Sequence, residues 1–188
     1  QEFKSLCGLE EGQNEADLSG KELQPGHTVL LAWDLTEGHV SSSMKKIKVN
    51  ECELPIDVLK TGVEADLSSQ KLRVEDAIII AACINVSTSL TELNLASNIL
   101  TYDGEAYGDM TGIKAIADAL NVSTSMKKIK VNYCELPIDV LKTGVEVDLS
   151  GQELQVEDAI IIAACIKFST SMNKLNVLSN FIGTEGGQ

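Results

Sequence analysis

Residues able to do chemistry are few in this sequence, and their spacing suits none of the familiar reactions. Five cysteines, Cys7, Cys52, Cys83, Cys134 and Cys165, form no C-x-x-C pair, so neither a zinc site nor a full disulfide framework is expected. His27 and His39 have no Ser, Cys or second His at a recurring spacing, which leaves a nucleophile and base pair unsupported. One acidic and aromatic stretch stands out, with Tyr102, Asp103, Glu105, Tyr107 and Asp109. It lacks the D-x-D-x-D-G order and closing Glu of a calcium loop. It reads better as a protein contact, because aromatic residues on irregular loops often anchor interfaces. Asn85-Val-Ser and Asn121-Val-Ser match the short glycosylation pattern, which chance produces readily. There is no glycine-rich phosphate loop, zincin helix or nucleophile elbow. The chain is therefore expected to be no enzyme and to use no metal or cofactor.

Composition narrows the partners. The 188 residues suit one domain, here 1–188, and hold 28 acids against 15 bases for a formal net charge of −13. Such a balance repels phosphate backbones and anionic headgroups, so nucleic acid is not an expected partner. The longest apolar stretch, Ala77 to Ile84, is far too short to cross a bilayer. The opening residues lack the basic start and apolar centre of a signal peptide, which points to an intracellular, cytoplasmic protein, with an organelle left open. Hydrophobic residues reach 44% while aromatics supply 4%, so the core must be aliphatic, as suits thin stacked layers.

A search for self-similarity shows what those layers are. Segment 41–98 recurs as 123–180, at an offset of 82 residues and with 13 differences, the mark of a tandem duplication. Within it a shorter unit appears seven times along the chain. The octets are A-D-L-S-G-K-E-L from Ala16, I-K-V-N-E-C-E-L from Ile47, A-D-L-S-S-Q-K-L from Ala65 and L-N-L-A-S-N-I-L from Leu93. Then follow I-K-V-N-Y-C-E-L from Ile129, V-D-L-S-G-Q-E-L from Val147 and L-N-V-L-S-N-F-I from Leu175. These octets resemble the leucine-rich-repeat signature L-x-L-x-x-N/C-x-L, with Cys52, Asn98, Cys134 and Asn180 at its sixth position. Lys21, Gln70 and Gln152 depart from it there.

Spacing predicts what lies between octets. The longer intervals hold V-E-D-A-I-I-I-A-A-C-I from Val74 and again from Val156, each long enough for an amphipathic helix with acids at its start. The first layer has a helix in P-G-H-T-V-L-L-A-W-D-L, with Trp33 as packing, and the insert is followed by a helix from Gly112. The short intervals leave room for one helical turn, beginning at Pro55 or Pro137 and stopped by Gly62 or Gly144. The intervals near 28 residues look like the ribonuclease-inhibitor subtype. That resemblance implies an α/β leucine-rich-repeat solenoid, a horseshoe with a parallel concave sheet of about seven strands and convex helices of uneven length.

On such a sheet the outward side chains form rows. One row is Asp17, Lys48, Asp66, Asn94, Lys130, Asp148 and Asn176; the other is Glu15, Lys46, Glu64, Glu92, Lys128, Glu146 and Lys174. Charges of opposite sign fall side by side in both, which gives either a binding face or a self-neutralised surface. The candidate protein-binding residues are Lys46, Lys48, Asp66, Glu92, Asn94, Lys128, Lys130, Asp148 and Asn176, with Tyr102, Asp103, Tyr107 and Asp109 of the insert. The resemblance implies a protein-interaction or scaffolding module whose partner is another protein or a larger assembly. An accessory structural subunit, a regulator of a small GTPase and the sensing end of a receptor are the alternatives. The domain is expected to be part of a longer array, or to have the end nearest the C-terminus covered by another polypeptide, by further residues or by another copy, because the last layer of an array needs a cap.

Overall fold

An alternation of outward, inward and outward side chains supports a strand of three residues before the chain must turn. The computed structural model describes residues 7–21, 23, 25–37, 42–167 and 169–183. In chain order the elements begin with strand β1 (Glu15–Asp17), helix α1 (Pro25–Thr36), β2 (Lys46–Lys48), β3 (Glu53–Pro55), α2 (Ile56–Thr61), β4 (Glu64–Asp66) and α3 (Val74–Val86). They continue with β5 (Glu92–Asn94), α4 (Thr111–Val122), β6 (Lys128–Lys130), β7 (Glu135–Pro137), α5 (Ile138–Thr143), β8 (Glu146–Asp148), α6 (Val156–Ile166) and β9 (Lys174–Asn176). Every octet contributes a strand at its start. The duplication in sequence is also one in structure, since the run from β2 to β5 returns as β6 to β9 at the same offset.

The architecture is mixed α/β, with nine strands in three small sheets among the described residues. One parallel sheet of about seven strands was the expectation, and the sheets differ from it. Their orders are β1-β2-β3, β4-β5-β6-β7 and β8-β9. β1 and β2, β4 to β6, and β8 and β9 pair in parallel, while β3 and β7 run antiparallel to β2 and β6. The cause lies in the short intervals. A parallel crossover needs a dozen or more residues, and residues 49–63 between β2 and β4 exceed that only slightly and hold β3 and the short α2. The chain turns back after Lys48, and E-L-P takes the edge of β2 that β4 would otherwise occupy. The same turn after Lys130 places β7 on β6.

Side chains bridge these two breaks. Asn50, just past β2, donates through Nδ2 to Asp76 Oδ2 at 3.0 Å, and Asn132 donates to Asp158 Oδ2 at 3.0 Å. Each aspartate also accepts the backbone N–H that precedes its helix, Arg73 N or Gln155 N, at 2.9 Å. Both are fully buried. Burial raises each carboxyl above its ordinary range, against the lowering effect of those hydrogen bonds.

Helices form a second layer in which α1 packs on α3, α3 on α4 and α4 on α6. Between helices and strands lies one aliphatic cluster running from Leu9 to Cys165. Octet residues Ile47, Leu54, Leu72, Leu93, Ile129 and Leu136 are buried in it. Asn98 holds the turn of its layer with all its bonding capacity. Its Nδ2 donates to the carbonyls of Leu67 and Leu95, and its Oδ1 accepts from Gln70 N and Leu72 N. Asn180 does the same for Leu149, Val177, Gln152 and Leu154. The turns at Gln70 and Gln152, which lack the signature residue, are thus held by the asparagine one layer on. Trp33 does not pack as expected: it is 40% exposed, with Val29 and Leu30, while Leu31, Ala32 and Leu35 of α1 face inward. Residue 39, the second histidine, lies outside the described residues.

Candidate functional site

The ladders set the two outward rows in register. Glu15 stands beside Lys46 and Asp17 beside Lys48. In the middle sheet Glu64, Glu92 and Lys128 form one line, and Asp66, Asn94 and Lys130 the other. In the last sheet Glu146 faces Lys174 and Asp148 faces Asn176. The structure therefore brings the candidate residues together within each sheet and separates them between sheets. Lys46 and Lys48 belong to the first, Asp66, Glu92, Asn94, Lys128 and Lys130 to the second, and Asp148 and Asn176 to the third.

Glutamates of the antiparallel strands complete the charge pattern, and sequence reasoning missed them. Lys46 Nζ lies 2.9 Å from Glu53, and Lys128 Nζ lies 3.2 Å from Glu135 and 3.7 Å from Glu92. Each Glu is the diagonal neighbour of its lysine across the hairpin, a position within reach of long side chains. The signal was present in C-E-L-P, where a polar residue precedes a core leucine, but the proline directed attention to the helix. These exposed pairs raise the lysine pKa values through the neighbouring Glu53 and Glu135. Lys174 pairs with Glu146 at 3.8 Å.

Aspartates and asparagines in the row serve the backbone as well. The Oδ1 atoms of Asp17, Asp66 and Asp148 accept the N–H groups of Ser19, Ser68 and Ser150, each at 2.9 Å. Asn94 and Asn176 do the same for Ala96 and Leu178 at 3.1 Å. The bonds from the serines hold the three aspartates below the usual carboxylate range. Lys128, paired with Glu92 and Glu135, and Lys130 thus share a sheet face on which Asp66 and Asn94 also serve the backbone. The shallow depression they share with Glu64, Asp66, Glu92, Asn94 and Glu135 holds about 360 Å³. A concavity this open and this charged suits a protruding chain better than an enclosed small molecule.

The insert is an ordered hairpin. Tyr102 and Tyr107 pair across it, with ring centroids 4.9 Å apart, and the Arg73 guanidinium lies 5.4 Å from the Tyr102 ring centre. Asp103 Oδ1 accepts the N–H groups of Glu105 and Ala106, and Asp109 Oδ1 accepts Thr111 N at the start of α4. Both acids thus shape the loop, and Tyr107, 72% exposed, is the group it presents to solvent. Among the described residues no group of three or more His, Cys, Asp or Glu is arranged to hold a metal.

Cys83 and Cys165 lie inside α3 and α6, where burial pushes their thiols up to about 12 and about 11. Cys52 and Cys134 donate to the carbonyls of Glu53 and Glu135 at the hairpin turns. The sequon hydroxyls Ser87 and Ser123 are buried and accept Leu90 N and Met126 N after their helices. Among the described residues no helix is long and apolar enough to cross a membrane.

Three of the differences between the two copies fall together. In the first, Glu51 pairs with Lys71 at 3.2 Å and with Arg73 at 3.7 Å. In the second, Tyr133, Glu153 and Gln155 stand there instead, and Tyr133 is 68% exposed. A charged rim in one unit has become an aromatic one in the other. No protein-family model matches the chain, and no curated protein matches it.

Proposed function

We propose that the chain is a leucine-rich-repeat solenoid that works as a protein-binding or scaffolding module and catalyses no reaction. The observation that carries this reading is the open face of β4 to β7. Its outward charges are fixed in register by the ladder and offered to solvent on a floor of buried Ala65, Leu93 and Ile129. The partner is a protein whose protruding segment carries acids toward Lys128 and Lys130 and bases toward Asp66 and Glu64. Affinity on such a face comes from a few buried anchors while the charges set orientation. Tyr107 and Tyr133 are the exposed aromatics suited to that anchoring role.

Capture from the native source with the intact chain, followed by amide exchange on the complex, tests the reading. Protection is expected on β4 to β6, and Lys128→Glu with Lys130→Glu should lower capture about tenfold or more at low salt. Undiminished capture by that double variant sinks the concave-face reading. A second reading, an accessory subunit of a large assembly, is favoured by apolar residues exposed in both copies on the short helices, Val58 of α2 with Val140 of α5. In that case protection falls on α2 and α5.

A further inference from the structure

Tyr107 is an exposed aromatic side chain on a backbone that is held on both sides of it. The chain from Thr101 to Asp109 closes into a hairpin in which Asp103 N donates to the Ala106 carbonyl, and Gly108 N and Asp109 N both donate to the Thr101 carbonyl. Gly104 and Gly108 take φ values of +101° and +106°, a region that residues with a Cβ rarely enter. Ile99 N donates to the Leu72 carbonyl and Val74 N to the Tyr102 carbonyl, which ties the hairpin to the layer before it. Yet residues 103–108 at its tip are all exposed. So much order buries little, and what it fixes is the direction of an aromatic ring in water. A ring presented in this way loses little conformational freedom on binding, which suits it to recognition.

Two features of the tip agree on what it would meet. The Tyr102 hydroxyl donates to the Gly104 carbonyl at 2.7 Å, the Tyr102 ring supports Tyr107, and Arg73, the single arginine of the chain, stands over Tyr102. The hairpin thus already holds one guanidinium on one of its two rings, within the range where a ring quadrupole attracts a cation. Tyr107 offers a second ring of the same kind, with no such cation on it among the described residues. Asp103, Glu105 and Asp109 surround that ring in sequence, and residues 101–112 contain no Lys or Arg. Among the described residues none of the three acids is ion-paired. The N–H groups of Ala106 and Glu105 hold Asp103 below the usual carboxylate range, so it stays ionised at neutral pH. A phosphate-bearing ligand would be repelled by such a tip, and a cationic one drawn to it.

We propose that the tip of this hairpin recognises a basic segment of a partner protein, an arginine of which seats on the Tyr107 ring with its charge met by Asp103 and Glu105. The inference rests on the reading above that the chain works by binding other proteins, and it adds the chemistry that one of the anchors takes. Arginine fits better than lysine. Its planar guanidinium stacks on a ring, is more weakly hydrated than an ammonium, and can hydrogen-bond a carboxylate at the same time.

The probe is a short fluorescein-labelled peptide of alternating glycine and arginine, titrated against the full chain by fluorescence anisotropy at physiological ionic strength, where diffuse attraction to the acidic chain is screened. A second peptide carries citrulline, which keeps the shape of arginine without its charge. Saturable binding is expected for the arginine peptide, with the citrulline peptide weaker by about tenfold or more. Tyr107→Ala should weaken the arginine peptide about tenfold, while Tyr107→Phe, which keeps a ring face for the cation, should stay within about twofold of the native chain. Glu105→Gln, at an exposed position, should weaken it about threefold. No saturable binding, equal binding of the citrulline peptide, or binding that survives Tyr107→Ala overturns the proposal. Each of those results leaves capture through β4 to β7 to its own test, because Lys128 and Lys130 are untouched.

Discussion

At the scale of single residues, the most consequential groups are the two buried aspartates. Asp76 Oδ2 and Asp158 Oδ2 each take two donated hydrogen bonds, while the Oδ1 atoms find no partner among the described residues. A carboxyl in that setting favours its neutral form, and its pKa in the folded chain is raised above the unfolded value near 4. The folded state then binds more protons than the unfolded one between those two values. Its contribution to stability is complete below about pH 4 and is lost as pH rises through the folded pKa. Asp17, Asp66 and Asp148, with lowered values, act in the opposite sense and lower on the scale, as pH falls below about 4. The double variant Asp76→Asn with Asp158→Asn keeps an acceptor for both donors and cannot ionise. Its urea midpoint relative to the native chain should improve steadily from pH 4 to pH 7; parallel curves would show that the aspartates are not the titrating groups. None of this was legible beforehand. Acids at a helix start read as partners of the helix dipole, which says nothing of their burial, and only the structure shows that Asn50 and Asn132 meet them inside.

Elements were easier to foresee than their partners. Seven octets became seven strands, and the helices of the longer intervals began at Val74 and Val156 as the pattern required. Periodicity identifies an element and its buried face, but pairing depends on how far the intervening chain can reach, and three-residue strands such as β3 and β7 carry almost no periodic signal. Likewise the alternating charges of the rows were legible, yet their contacts with Glu53 and Glu135 were not, because those strands were unforeseen. The misplacement of Trp33 has a similar origin: a helix apolar nearly all round does not say which face its neighbours cover. Gly112 shows what close helix packing demands. Replacing it with Ala should add helix propensity worth about 1 kcal/mol, but the new Cβ meets Ala77 at 2.7 Å and the Val74 carbonyl at 3.0 Å. Overpacking of that kind costs about 1–3 kcal/mol and should win. Gly112→Ala is expected to lower Tm by about 2–6 °C, and a rise in Tm would mean that α4 slides without loss.

For the molecule as a whole, two nearly identical units in unequal surroundings separate the effect of sequence from that of neighbours. The segment V-E-D-A-I-I-I-A-A-C-I lies between α1 and α4, with α2 beside it, in the first unit and against α4 and α5 in the second. Local opening is governed by such contacts more than by propensity. Amides of α3 should therefore exchange about tenfold or more slowly than those of α6 in the free chain. Equal protection would show that α6 is as well supported as its twin. The same inequality gives β3 and β7 a mechanical meaning. Backbone hydrogen bonds stiffen each sheet, but among the described residues no ladder crosses from β3 to β4 or from β7 to β8, so at those joints the aliphatic core, helix packing and a few side chains carry load. Bending of the chain is therefore expected to concentrate at those two joints, where it changes helix contacts and leaves every strand pair intact.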